Sequence, residues 1–184
     1  MNTKGMSFIH IKEAHMSLFG QERWNNFFQE FKMQCPEFPN DPLVTTQIPV
    51  DIFLLFIDEL TKEYYNGNQR VYWGFGESAA QTSLSEDGYF NIFVKNTQNP
   101  KSFIKFVLAR IWHNYFDMGR EEFELEGNLL HARLLDLPRY HPYIELTTMG
   151  YVKKALEIVG VKVKETKKIK SSAKETYYQF LLEF

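Results

Sequence analysis

The chain has 184 residues and a formal net charge of -2, which gives no bulk electrostatic drive toward nucleic acid or an anionic membrane. Hydrophobic residues make up 44% and aromatics 16%, so there is material for a sizeable core, and the length suits one domain spanning 1–184. The one cysteine, Cys35, excludes an internal disulfide and a cysteine-only zinc site and fits a reducing compartment.

Met1 to His15 carries polar residues throughout and lacks the apolar run of a signal peptide. The longest uninterrupted apolar run, Ile52 to Ile57, is bracketed by Asp51 and Asp58 and falls far short of the ~18 residues a membrane helix needs. The expectation is a cytoplasmic protein with no transmembrane segment.

Taken in order, Gly5 to Gly20 reads as a first helix that Gly20 breaks. Gln21 to Lys32 is a second, with Trp24, Phe27, Phe28 and Phe31 at helical spacing along one face. Pro36, Pro39 and Pro42 make the next stretch a loop. Pro49 opens a third helix, Val50 to Tyr65, buried through Ile52, Phe53, Phe56, Ile57 and Leu60. Arg70 to Ser83 reads as a fourth. Its Gly74 and Gly76 each cost about 1 kcal/mol against alanine and point to close helix packing or a kink. Ser85 to Asn99 is a polar connector. After Pro100, Lys101 to Phe116 is predicted as one long helix with Phe103, Phe106, Val107, Arg110, Ile111 and Asn114 along one side.

Beyond Gly119 the period changes to two. Glu122, Glu124 and Glu126 alternate with Phe123 and Leu125, Gly127-Asn128 signals a hairpin, and Leu130, Ala132 and Leu134 alternate with His131 and Arg133. A helix over Glu145 to Gly160 presents Met149, Val152, Leu156 and Val159 to the core. Val161 and Val163 begin a third strand, Lys167 to Lys174 reads as a mobile hairpin tip, and Thr176 to Phe184 is the last strand. The predicted class is α+β: mainly helical over 1–118, packed on an antiparallel sheet, with a strand–strand–helix–strand–strand unit over 119–184.

Motifs for chemistry are sparse. His10 and His15 are five apart, whereas chelation from one helical face wants three or four, and His131 and His141 are separated by a proline loop. There is no Gly-x-Ser-x-Gly elbow and no phosphate-binding loop, and Gly74-Phe-Gly76 lacks the third glycine of a dinucleotide fingerprint. The adjacent Glu121 and Glu122 carry no positional information among so many acids. Lys162, Lys164, Lys167, Lys168, Lys170 and Lys174 form a basic cluster, read as a solvated hairpin beside the Glu122–Glu124–Glu126 row. His113, near the end of an aromatic-rich helix, reads as a helix-end histidine satisfied by local carbonyls and the helix dipole, with an axial haem ligand as the alternative.

Two stretches carry a resemblance. Lys4-Gly-Met-Ser-Phe8 with Phe19-Gly-Gln-Glu-Arg-Trp24 resembles the opening of haem nitric-oxide-binding (H-NOX) domains and their haem-free relatives. Gly150-Tyr-Val-Lys-Lys-Ala-Leu-Glu-Ile-Val-Gly160 with its paired strands resembles the closing unit of the same superfamily, which includes 4-vinyl-reductase domains and TRAPP Golgi-transport subunits. The layout, with Phe116-Asp-Met-Gly119 before the hairpin, is similar to an uncharacterised bacterial family known as paralogues in myxobacteria. The chain lacks the Tyr-x-Ser-x-Arg haem-propionate motif, and reads Arg139-Tyr-His-Pro-Tyr-Ile-Glu-Leu-Thr-Thr148 in that stretch. The cysteine-rich motif of 4-vinyl-reductase domains is also missing.

The resemblance implies a non-enzymatic, sensor-type domain that takes an apolar small molecule or acyl chain, with no cofactor expected, haem included. The candidate lining is Phe53, Phe56, Phe103, Phe106, Val107 and Met149. The alternative is an interaction module that pairs with itself or a protein partner, presenting an apolar patch around Trp24 and Phe28. A third reading is a haem gas sensor through His113. Catalytic residues, metal sites and nucleic-acid binding are not expected.

Overall fold

The computed structural model describes residues 1–96 and 99–184, and they form two compact units. The first comprises Met1–Gln69 with Tyr115–Asp117, the second Arg70–Asn114 with Met118–Phe184. The class is α+β, as the change of hydrophobic period predicts.

In the first unit, β1 (Asn2–Lys4) runs into α1 (Gly5–Phe19), followed by α2 (Gln21–Gln34), β2 (Gln47–Pro49) and α3 (Val50–Tyr65). β1 and β2 pair antiparallel, Thr3 opposite Ile48. These strands are too short to leave a readable alternation in the sequence. Gly5 is required where β1 becomes α1: its N–H donates to the Thr46 carbonyl at 2.7 Å, and a Cβ there would lie 2.1 Å from the Leu43 carbonyl oxygen. Asp117 fastens the chain start, accepting from the Asn2 backbone N–H at 2.7 Å and its side-chain amide at 2.8 Å.

The core of this unit is aromatic. Phe56 of α3 has six rings around it: Phe38 at 5.2 Å, Phe8 at 5.3 Å, Phe31 at 5.4 Å, Phe27 and Phe53 at 6.0 Å and Trp24 at 6.2 Å. Tilted and edge-on pairs of this kind add to the burial of apolar area. Phe38 enters from the proline loop, which is held down by Lys32 donating to the Pro36 carbonyl at 2.7 Å and to that of Phe38. Trp24 is 2% exposed and Phe28 is half-buried, so the apolar patch expected around them is not formed. The α2 stripe is consumed by its own core.

The second unit begins with α4 (Val71–Leu84), a short α5 (Asn91–Lys95) and α6 (Pro100–Phe103). The predicted connector thus contains a helical turn, and part of it, Thr97 and Gln98, lies outside the described residues. After α6 the helix does not continue evenly: Ile104–Leu108 form a π-helical turn before α7 (Ala109–Tyr115). The wider turn inserts a residue and rotates the buried stripe to Phe103, Ile104, Leu108, Ile111 and Trp112, leaving Phe106 exposed and Val107 half-buried. The single-sided stripe predicted from an even α-helical period is corrected accordingly.

A four-stranded antiparallel sheet follows, in the order β3-β4-β6-β5, from β3 (Arg120–Glu126), β4 (Leu129–Leu135), β5 (Lys162–Lys170) and β6 (Glu175–Glu183). Leu130, Ala132 and Leu134 of β4 and Tyr178, Phe180 and Leu182 of β6 are buried, as are Met149, Val152 and Leu156 of α8 (Pro142–Ile158). α8 packs on α4 through backbone. A Cβ on Gly76 would lie 1.9 Å from the Thr147 carbonyl oxygen, and one on Gly150 2.2 Å from that of Trp73. Close packing, not a kink, accounts for Gly76, while Gly74 meets nothing.

Two expectations for the basic hairpin change. β5 runs through Lys170, so the turn is only residues 171–174. The β3 glutamates do not lie beside the lysines, since β3 and β5 are opposite edges of the sheet. Lys162 and Lys164 pair instead with Glu183 at 3.4 and 3.3 Å, and Lys170 with Glu175 at 2.6 Å.

Candidate functional site

The six expected lining residues divide between the units. Phe53 and Phe56 adjoin in the aromatic core of the first, both fully buried. Phe103 and Met149 are fully buried in the second, Val107 is half-buried, and Phe106 is 53% exposed with the Lys105 ammonium 5.2 Å from its ring centroid. Lys101 stands likewise over the exposed Phe184 ring at 5.1 Å.

The five histidines serve different ends. His15 bridges α1 and α3: its Nδ1 donates to the Ile11 carbonyl at 2.8 Å and its Nε2 accepts from the Tyr65 hydroxyl at 3.1 Å. Burial holds its pKa below the ordinary value, and the Ile11 bond only partly offsets this. His131, on β4, meets the Tyr177 hydroxyl at 2.6 Å, and Gln179 donates to that same hydroxyl at 2.9 Å. His141 caps α8, its Nδ1 accepting from the Tyr143 N–H at 3.1 Å. His113 is exposed on α7 with Arg110, next to the buried Trp112. His10 has both ring nitrogens closed off from solvent with no hydrogen-bond partner among the described residues, and burial lowers its pKa.

The most developed polar cluster is one that periodicity hides. Glu145 falls within the first turn of α8 and is 1% exposed. It accepts from the Tyr178 hydroxyl at 2.5 Å, from Lys168 at 2.9 Å and from Ser171. Desolvation would raise its pKa, but these donors outweigh it and hold the carboxyl below its ordinary value. With its lone pairs engaged, Glu145 is a fixed anion that ties the end of the β5–β6 hairpin to α8; it is not a free base. The visible clue is a glutamate in the helix's first turn, where the dipole welcomes it; the donors come from β5, β6 and the turn between them. Glu121, on the side of β3 shared with Phe123 and Leu125, behaves in the opposite way. Desolvation pushes its carboxyl up to about 8, so near neutral pH it is largely protonated and offers a donor.

Haem makes two demands, an axial donor and partners for two propionates. The stretch Arg139–Thr148 contains one cation, Arg139, while His141 is committed to a helix cap and Glu145 is a buried anion. His113 faces outward beside Arg110. This donor set does not fit haem in the manner the resemblance implies. Among the described residues, no group of three or more His, Cys, Asp or Glu side chains is placed to hold a metal ion, and no helix is long and apolar enough to cross a membrane.

No family model matches the chain, and no curated protein matches its sequence. Solved structures do match. An H-NOX domain from Shewanella oneidensis in its Fe(II)CO ligation state superposes with a TM-score of 0.73 at 14% identity, covering 98% of this chain and 98% of that one. An H-NOX protein from S. oneidensis in its Fe(II)NO state gives 0.72 at 14%, covering 98% and 99%. Unliganded Fe(II) H-NOX protein from K. algicida gives 0.71 at 12%, covering 98% and 97%. At such identities the likeness is one of fold, and it is an H-NOX fold that this chain adopts over nearly its whole length.

Proposed function

We propose that this protein is a non-enzymatic, haem-free ligand-binding domain of sensor type, acting in the cytoplasm on an apolar small molecule or acyl chain. The observation that carries the reading is the near end-to-end correspondence with domains solved in NO- and CO-ligated states. A haem-free form is favoured by the donor set, with one cation in Arg139–Thr148 and His113 directed outward. A non-enzymatic role is favoured by the saturation of Glu145, which leaves the largest polar cluster without a reactive group.

The test is an absorption spectrum and a native mass on protein purified from cells. The expected result is no Soret band, before or after added haemin, with a retained apolar molecule or thermal stabilisation by fatty acids. A Soret band that shifts with CO or NO would overturn the haem-free form and assign the domain to gas sensing. The absence of both a retained molecule and stabilisation would overturn ligand binding.

A second reading, a homodimeric interaction module, is favoured by the exposed Phe106 and Phe184, each beneath a lysine. It expects a dimer by sedimentation that reverts to monomer when both phenylalanines become serine. A monomer at high concentration would sink it.

A further inference from the structure

Residues 88–116 contain no aspartate or glutamate, although acids are common elsewhere in the chain, and the charges in that stretch are Lys95, Lys101, Lys105 and Arg110. Three of the four fall on the continuous helical run of α6, the π-helical turn and α7. The inner side of that run is fixed in the second unit by Phe103, Ile104, Leu108, Ile111 and Trp112, all buried. Its exposed residues are Lys101, Lys105, Phe106, Arg110 and His113. The wide turn supplies the aromatic member, since an even helical period would carry Phe106 inward with Phe103. The Lys105 ammonium stands over the Phe106 ring, and that of Lys101 over the Phe184 ring, which is 47% exposed. Among the described residues, none of Lys101, Lys105 and Arg110 has a carboxylate partner. Glu183, the acid next to Phe184 in the chain, is already held by Lys162 and Lys164.

We propose that this face seats the protein on an anionic lipid bilayer, with Lys101, Lys105 and Arg110 at the phosphate layer and the Phe106 and Phe184 rings at the boundary with the acyl chains. Charge complementarity selects the occupant. Two copies meeting face to face would set cation against cation with no acid between them. A duplex would set the Phe106 ring against charged phosphates, and one helix face offers no groove for a single strand to follow. A bilayer presents negative charge and an apolar layer together, and rings capped by ammoniums match both. The net charge of -2 does not oppose this docking, because at physiological salt only charges within about 8 Å of the surface act strongly. The inference does not rest on the ligand-binding reading, and it assigns to a bilayer the two phenylalanines that the dimeric reading would use.

The experiment sediments the full chain with vesicles of phosphatidylcholine alone and of phosphatidylcholine and phosphatidylserine in equal parts. The expected result is binding to the anionic vesicles only, weakened by added salt. Lys101→Gln with Lys105→Gln is expected to weaken it by about thirtyfold, and Phe106→Ser by about tenfold. Lys162→Gln with Lys164→Gln, on the other basic surface, is expected to leave it unchanged. These side chains are exposed, so the variants keep the fold. Equal binding to both vesicles, or equal loss from the two lysine pairs, would overturn the proposal. So would a dimer without vesicles that Phe106→Ser dissolves, which would give the face to a second copy, or tighter binding to a DNA oligonucleotide than to the anionic vesicles.

Discussion

Phe56 in the first unit is enclosed by six aromatic rings, whereas in the second unit α4 and α8 meet through glycines and carbonyls. The buried polar groups divide along the same line. Glu145 in the second unit is surrounded by donors, while the ring nitrogens of His10 in the first have no hydrogen-bond partner among the described residues. One unit relies on apolar volume and tolerates an unsatisfied polar group; the other relies on exact backbone approach and satisfies its anion fully. Ring packing is forgiving of shape, since neighbouring rings can tilt, but a carbonyl in a helix cannot retreat.

That contrast is most severely tested at the glycines. Gly150→Val should cost about 3 kcal/mol or more, because the new side chain would strike the Trp73 carbonyl, and urea titration should show it. Phe56→Leu, which keeps most of the volume, should cost less than Phe56→Ala, for which about 3–5 kcal/mol is expected. Equal losses for Leu and Ala would mean that ring geometry, not volume, holds the first unit.

Glu145→Ala should cost about 2 kcal/mol in unfolding free energy, chiefly by leaving the buried Tyr178 hydroxyl without its acceptor. The pH dependence has a definite sign. Glu145 has a lowered pKa in the fold, so its contribution is present above the unfolded carboxylate value of about 4.5 and fades as pH falls below it. Glu145→Gln should flatten the acid limb of a stability–pH curve. His15 is a base with a lowered pKa, so the unfolded chain takes up its proton first. Its contribution is complete above about 6.5 and declines as pH falls through that value. His15→Gln should remove that slope, which for one group cannot exceed about 1.4 kcal/mol per pH unit. The smallest effect belongs to the sheet edge. Lys162→Ala should change stability by about 0.5 kcal/mol or less, because its pair with Glu183 is exposed.

Wherever one rule governed a segment, the sequence was legible. Pro49 and the stripe from Phe53 to Leu60 locate α3 at Val50–Tyr65, as observed, and the period-two alternation with Gly127 places the β3–β4 hairpin. Legibility failed where a distant partner decided. Trp24 and Phe28 look like surface material until Phe8, Phe38 and Phe56 arrive from three other segments. The strand through Lys167–Lys170 looks too charged to be regular, and it pairs because β6 offers a ladder along its length. The π-helical turn leaves no mark in an apolar pattern, so Phe106 was aligned with Phe103 when they face differently. For the candidate site, the histidines could be counted but not told apart: nothing local distinguishes a bonded His15 from an idle His10.

The distribution of the three tryptophans turns this two-unit construction into an optical instrument. Trp24 belongs to the first unit, and Trp73 and Trp112 belong to the second. Trp73 donates its indole N–H to Glu77 at 3.0 Å, and Trp112 donates to the Met118 carbonyl at 3.0 Å. A chain in which both become phenylalanine would emit from Trp24 alone and report the melting of the aromatic core. A chain with Trp24 replaced would report the glycine-packed unit. Comparing the two emission curves in denaturant would reveal whether the units unfold together or in succession, with no label added to either.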